Sequence, residues 1–294
     1  MKKNITETLE SSVLVMIGSK EQIIKKYSLK ERDYKGERFA KLDHTLLGFD
    51  DILSLTKPQV ISEIDERFLK SGADIIVTNT SKANRFHLKE FGLEDITYEL
   101  NLASAKIARD KVSKYSSITR NKPRYAAGCV SSLPNDLDLD FVQSIYSEQI
   151  KALLAGRVDL IIFHKMQNEQ SIIAAFDSLN SILAKRDKSM EVILSIENPD
   201  LMSWLTDIEK VKPYENINLI AVGTSTFDID VYSDLKENSQ YKLFVFMDDL
   251  KEYDEIICIE NSEKIFEQKL VDIIAYDAVF QPSAVEKIID ILSK

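Results

Sequence analysis

Glycine is scarce in this chain, with 8 residues in 294, where about 7% would be usual. Phosphate cradles need glycine, because only a bare backbone lets its N–H groups close on the ligand. No G-x-G-x-x-G and no Walker-type loop is present, so a nucleotide cofactor has little support. Cysteine is scarcer still: Cys129 and Cys258 are the whole complement. Each lies in an apolar run that reads as β-type, YAAGCV and EIICIE. A lone cysteine so flanked is expected to be a small core residue rather than half of a disulfide, and such low usage fits a reducing cytoplasm. Long basic runs are missing and the net charge is −10, which argues against nucleic acid or an anionic membrane as a partner. No apolar run approaches the roughly 18 residues of a membrane span. The opening MKKNITETLESSVLVMIG has two glutamates before its apolar stretch, which at about five residues is too short for a signal-peptide core. The expected location is the cytoplasm.

What the chain does have is alternation. Apolar, β-branched runs are read as strands near 12–17, 73–78, 124–130, 159–164, 191–196, 218–223, 242–247 and 272–276. Their continuous apolar character suits strands covered on both faces, as in parallel sheets. Amphipathic segments separate them. Residues 96–115 place Leu100, Ala103, Ile107 and Val112 at helical spacing. Residues 140–156 end at Gly156, a normal helix stop. The last helix is expected to start with Ser283 as its N-cap, after Pro282. Eight such units without a linker predict one α/β domain over residues 1–294, a (β/α)8 TIM-type barrel. The first unit carries a long insertion at about residues 28–60 before its helix resumes. An insertion after a barrel strand belongs to the catalytic face.

Four stretches carry a family resemblance: KKYSLKERDYKGERFAKL (25–42), LLGFDDILSLTKPQVISEIDERFLKSGADIIVTNTS (46–81), NLASAKIARD (101–110) and KPRYAAG (122–128). Together they resemble the homocysteine-binding domain of cobalamin-dependent methionine synthase. The remainder follows through the order of strands. The resemblance implies a (β/α)8 barrel and transfer of a methyl group from methylcobalamin to the sulfur of homocysteine. It also implies zinc held by three cysteines. A free thiol has a pKa near 8.5 and only its thiolate attacks. Zinc would deprotonate it outright, and three protein thiolates leave one tetrahedral position open for the substrate sulfur.

The motifs that would supply those ligands are altered. The family's G-x-N-C turn after the sixth strand corresponds to AVGTSTFD (221–228), with Ser225 at the cysteine position. Its G-G-C-C-G turn corresponds to IIAYDAVFQPSAV (273–285), with Asp277 and Ala278 at the cysteine pair. The opening D-G-A-M-G-T turn reads Ile17-Gly18-Ser19-Lys20-Glu21-Gln22, and the E-T-N-T-F pattern reads Val77-Thr78-Asn79-Thr80-Ser81. At the strand-four I-E-T motif the acidic residue is replaced by His164, followed by Lys165. The S-G-Q loop after strand five is reduced to IENPDLMSW (196–204). The losses cluster at strand ends, while the core-like strands and the GERF segment keep the pattern.

Candidate ligand-contacting residues are therefore Gly18, Ser19, Thr78, Asn79, Thr80, His164, Ser225 and Asp277. No catalytic residue, metal ligand or cofactor is assigned. Thr78, Asn79 and Thr80 suit a ligand but equally suit caps and turns. His164 has no acidic orienter visible in the sequence, and Lys165 reads either as a receiver of carboxylate or phosphate or as a solvated lysine. Glu197, Asp248, Asp249 and Asp277 at strand ends could hold a hard cation, or be loop acids of an acidic protein. The segment 31–44 reads as a docking surface or as structure built on a buried Phe39 and paired charges. The expectation is a family member without zinc-dependent methyl transfer, binding a small amino-acid-like ligand or a corrinoid or methionine synthase-related protein. The rival is a methyltransferase component with a rebuilt zinc-free site or another methyl acceptor, served by a separate corrinoid protein.

Overall fold

In the computed structural model, residues 3–201, 203–211, 213–224, 228–247, 255–276 and 282–292 are described. Eight strands are present where the apolar runs predict them: β1 (Leu14–Ile17), β2 (Ile75–Val77), β3 (Tyr125–Ser131), β4 (Leu160–Met166), β5 (Met190–Ile196), β6 (Ile217–Thr224), β7 (Lys242–Phe246) and β8 (Ile273–Tyr276). They pair in sequence order, all parallel, and β8 closes on β1 through Leu14↔Ile273 to Ile17↔Tyr276. The chain is a (β/α)8 barrel. Helices at Pro58–Lys70, Thr97–Ile118, Leu139–Ala155, Glu169–Ala184, Ile229–Asn238, Glu255–Glu267 and Pro282–Leu292 follow strands one to four and six to eight. Among the described residues between β5 and β6 only short turns of helix occur, including Ser203–Thr206. None of the described helices is long and apolar enough to cross a membrane.

The runs are apolar throughout because each strand is covered twice. Leu14, Met16, Ile75, Val77, Ile162 and Phe246 belong to the cluster inside the barrel. Their neighbours Val15, Ile17, Ile76, Phe163 and Val245 belong to the cluster between strands and helices. The period of two sorts adjacent residues to opposite sides. One glycine is dictated by space: a side chain on Gly223 of β6 would collide with the backbone carbonyl of Phe244 on β7, its Cβ coming within 1.6 Å of that oxygen.

Two sequence expectations are corrected. Cys258 lies in the helix Glu255–Glu267, not in a strand; a short apolar run does not by itself distinguish the two. The closing helix begins at Pro282, so Ser283 sits in its first turn and does not cap it. Proline is a natural first helical residue, its fixed φ already helical and its missing N–H not needed there.

The amino-terminal end of the barrel is closed by a short helix that the sequence reading did not anticipate. Asn4 caps Ile5–Leu9 with a reciprocal bond to Glu7, and Ile5 and Leu9 join the interior cluster. The Tyr125 hydroxyl reaches Thr8 Oγ1 at 2.6 Å and the carbonyl of Asn4 at 3.1 Å, fastening the plug to β3.

At the same end a device recurs. An aspartate immediately precedes β2, β4 and β8, and its carboxylate accepts a backbone N–H from the strand before: Val15 N to Asp74 at 3.0 Å, Ala126 N to Asp159 at 2.9 Å and Leu243 N to Asp272 at 2.9 Å. Each aspartate also meets a cation, Arg124, Arg109 and Lys242 respectively. Asp74 is the most buried of the three. Replacing it with alanine leaves Arg124 buried without its partner and should cost about 3–5 kcal/mol. Urea unfolding of Asp74→Ala against wild type checks this, and a loss under about 1 kcal/mol would contradict it.

Candidate functional site

The carboxyl ends of the strands surround a cavity of about 330 Å3. Gly18 and Ser19 enter it from the turn after β1, and Thr78, Asn79 and Thr80 from the end of β2. Cys129 of β3, His164 and Lys165 of β4 and Phe246 of β7 complete the barrel side. The first-unit insertion contributes Gly48, Phe49, Asp50 and Asp51. Six candidate residues, Gly18, Ser19, Thr78, Asn79, Thr80 and His164, thus line one space. Ser225 and Asp277 lie outside the described residues, as do Asp248 and Asp249. Glu197 is exposed and accepts a bond from Gln167 Nε2 at 2.7 Å. It does not line the cavity.

The hydroxyls of Thr78 and Thr80 are largely consumed by the barrel. Thr78 Oγ1 accepts the Cys129 N–H at 3.0 Å and lies 2.7 Å from Thr80 Oγ1. Thr80 Oγ1 donates to the carbonyl of Cys129 at 2.9 Å. The two residues continue the β2–β3 ladder by side-chain bonds where the backbone pairing ends. Asn79 couples the barrel to the insertion. Its backbone N–H donates to Ser104 Oγ at 2.8 Å, and its Nδ2 donates to the Asp50 carbonyl at 2.8 Å.

The turn after β1 is set by Lys20, whose side chain is buried. Its Nζ lies 3.2 Å from Asp65 Oδ1 and donates to the carbonyl of Val77. Burial pushes the Asp65 carboxyl up, while Lys20 pulls it back. Gly18 N donates to the Tyr276 carbonyl at 2.7 Å, tying the turn to β8 as well.

Asp50 and Asp51 bring carboxylates to the rim. Tyr34 Oη donates to Asp50 Oδ1 at 2.6 Å, and the Lys82 N–H donates to Asp51 Oδ2 at 2.7 Å. Burial raises both acids, Asp51 to about 6, with the neighbouring charge of Asp50 adding to the rise and the Lys82 bond opposing it. The same segment explains GERF: Phe39 is buried, Arg38 forks onto Glu99 at 2.6 and 2.7 Å, and Lys57 pairs with Asp33 at 3.0 Å. These contacts make the segment a frame for the rim.

Sequence reasoning overlooked Lys20, Asp50, Asp51 and Phe246. A polar pair inside the apolar GFDDIL stretch was the available signal for the two acids. On the basic side, His164 packs against Phe246 at 4.9 Å between ring centroids, and Lys165 Nζ lies 5.9 Å from the same ring. An amide, one buried and one half-buried acid and two basic side chains around a small floor of Cys129, Ile162 and Phe246 can receive a small polar molecule. Among the described residues no group of three or more His, Cys, Asp or Glu is arranged to hold a metal ion.

A family model described as homocysteine S-methyltransferase matches residues 19–276. The oxidized form of the homocysteine methyltransferase MmuM from Escherichia coli superposes with a TM-score of 0.72 at 13% identity, covering 96% of this chain and 97% of that one. Its metallated form gives 0.69 at 13% identity, with 96% and 97% covered. DHDPS from Cyanidioschyzon merolae with lysine bound gives 0.51 at 10% identity, covering 95% of this chain and 73% of that one. At these identities the structural likeness speaks for the barrel alone.

The buried acid yields a pH test. With Asp51 near 6 in the folded protein and about 3.9 when unfolded, the folded state holds the proton more tightly. Its stabilising contribution is complete below about pH 4 and is lost as pH rises through 6. Asp51→Asn should therefore remove a decline in unfolding free energy on the order of 2–3 kcal/mol between pH 4 and 7. Urea titrations across that range check it; parallel curves for the two proteins would contradict it.

Proposed function

The chain belongs to the homocysteine S-methyltransferase family, and from that membership we propose a barrel, similar to the homocysteine domain of methionine synthase, that binds a small amino-acid-like ligand without zinc-thiolate chemistry. One observation carries the reading: the whole chain holds two cysteines, so no three-thiolate set can be assembled from it. Nor do the two lie together at the turns after β6 and β8. Cys129 is on β3, hydrogen-bonding distance (3.8 Å) from Ser131 Oγ, and Cys258 is in the helix Glu255–Glu267. The residues present do not fit the family's zinc.

The rest of the mouth supports binding. A cavity near 330 Å3 is at the small end of ligand sites, and its rim is cross-braced by Asn79, Asp50 and Tyr34 before any ligand arrives. Preorganisation of this kind lowers the entropic cost of binding. The carboxylates of Asp50 and Asp51 offer attraction to an ammonium group.

A second reading, a methyltransferase component acting with a separate corrinoid protein, draws on His164 and Lys165 beside Cys129 in the same cavity. Nearby cations lower a thiol's pKa, so they could activate a bound substrate thiol in zinc's place.

Metal analysis of the purified protein, paired with a methylcobalamin–homocysteine assay, separates these readings. The first expects far less than one zinc per chain and no methionine formed. Turnover in protein stripped of zinc would favour the second. Stoichiometric zinc with turnover would contradict both.

A further inference from the structure

We infer that Asp51 Oδ1 and Asn79 Oδ1 form a subsite for a primary ammonium group in the barrel mouth. The inference rests on the ligand-binding reading above and names the two residues that hold the ligand's amino group.

The two residues come from different elements and are brought together by a seam of two hydrogen bonds. Asn79, just past the end of β2, donates from Nδ2 to the carbonyl of Asp50 at 2.8 Å. Further along the same turn, the Lys82 N–H donates to Asp51 Oδ2 at 2.7 Å. Each bond engages one end of a side chain and leaves the other. With Nδ2 committed to a carbonyl, the Asn79 amide is oriented and its Oδ1 is an acceptor. With Oδ2 committed to Lys82, Asp51 retains Oδ1. Among the described residues neither Oδ1 accepts a hydrogen bond, and neither is one of the polar atoms sealed inside the protein. Both residues line the cavity, yet Asp51 is only 6% exposed and Asn79 8%. Acceptors so deeply enclosed are normally answered. Two of them on one small space call for a donor.

Charge selects among donors. On its own segment Asp51 is faced by Asp50, which Tyr34 engages at 2.6 Å. Lys82 faces it from the turn after β2, and Lys20, bound to Asp65, from the turn after β1. Glu21, paired with Lys25, and His164 and Lys165 of β4 line the same cavity. Despite the two lysines, burial holds the Asp51 carboxyl up at about 6. A primary ammonium supplies a full positive charge and three N–H donors, enough to serve both oxygens. A hydroxyl would bring a donor but no charge. An ammonium beside Asp51 also favours the ionised carboxylate and draws its pKa down, so binding and deprotonation go together. Affinity is then complete above about pH 7 and falls as pH drops through 6, by about tenfold at pH 5.

Calorimetric titration of the full chain tests this with three matched probes: L-norleucine, hexanoate, which lacks the ammonium, and pentylamine, which lacks the carboxylate. Near pH 7.5 wild type should bind L-norleucine about tenfold or more tightly than hexanoate, and near pH 5 that advantage should shrink about tenfold. Asp51→Asn, which keeps an acceptor for the Lys82 N–H, should lose both the advantage and its pH dependence. Asn79→Leu should weaken L-norleucine severalfold and retain the pH dependence; the Asp51→Asn arm decides even where Asn79→Leu fails to fold. Equal binding of norleucine and hexanoate by wild type, or an Asp51→Asn protein that keeps the advantage, overturns the subsite and leaves the ligand-binding reading standing. Unchanged norleucine affinity in folded Asn79→Leu overturns it as well. Asp51-dependent binding of pentylamine with no amino-acid binding keeps the subsite and overturns the amino-acid reading. Binding of none of the probes overturns both.

Discussion

The mouth of this barrel depends on one buried ion pair. Lys20 is 2% exposed and Asp65 1%, and their contact joins the turn after β1 to the helix that follows the insertion. The same ammonium donates to the carbonyl of Val77, the last residue of β2. A lysine so placed is tolerated only with its charge and its donors answered. Once they are, three elements share a fixed origin: the Gly18-Ser19 turn, the end of β2 and the base of the insertion. Thr78, Asn79 and Thr80 then extend from a strand that cannot shift, and Asn79 Nδ2 finds the Asp50 carbonyl at 2.8 Å. In the turn after β1, Lys20 is thus a structural residue.

Around that origin the polar residues divide by task. Thr78 and Thr80 prolong the β2–β3 ladder and owe most of their bonding to Cys129 backbone. Asn79 ties down the rim. Asp50 and Asp51 of the insertion and His164 and Lys165 of β4 line the space together with Glu21 and Lys82. The proposed amino-acid-like ligand calls on polar groups of both signs. It requires no nucleotide cradle, in keeping with a chain so poor in glycine, and no three-thiolate centre, in keeping with two cysteines.

How legible this was differs by level. The eight strands were readable because both faces of each are buried, so Ile75–Val77 or Leu160–Phe163 stay apolar residue after residue. Asn79 and His164 are legible as mouth residues because a barrel presents strand ends on one face, and Gly18 and Ser19 through the family resemblance of their turn. Other features had no local signal. EIICIE, with Cys258, carries apolar residues that serve a helix as well as a strand. The pairing of Lys20 with Asp65 spans elements far apart in the chain, so burial of a lysine could not be foreseen. The bulge in β4, where Lys165 has a φ of +51°, was equally hidden, since neither glycine nor asparagine marks its left-handed residue. The raised Asp51 acid is a product of enclosure, which DDIL spells only as two adjacent carboxylates.

On the proposed function, the mouth recognises an amino-acid-like ligand with its own side chains and backbone, not through a metal. Calorimetric titration of L-homocysteine into EDTA-treated protein, repeated after zinc is added back, tests it most directly. Saturable binding in EDTA, with the same affinity once zinc is restored, is the expected result. Binding that appears only when zinc is present would contradict it.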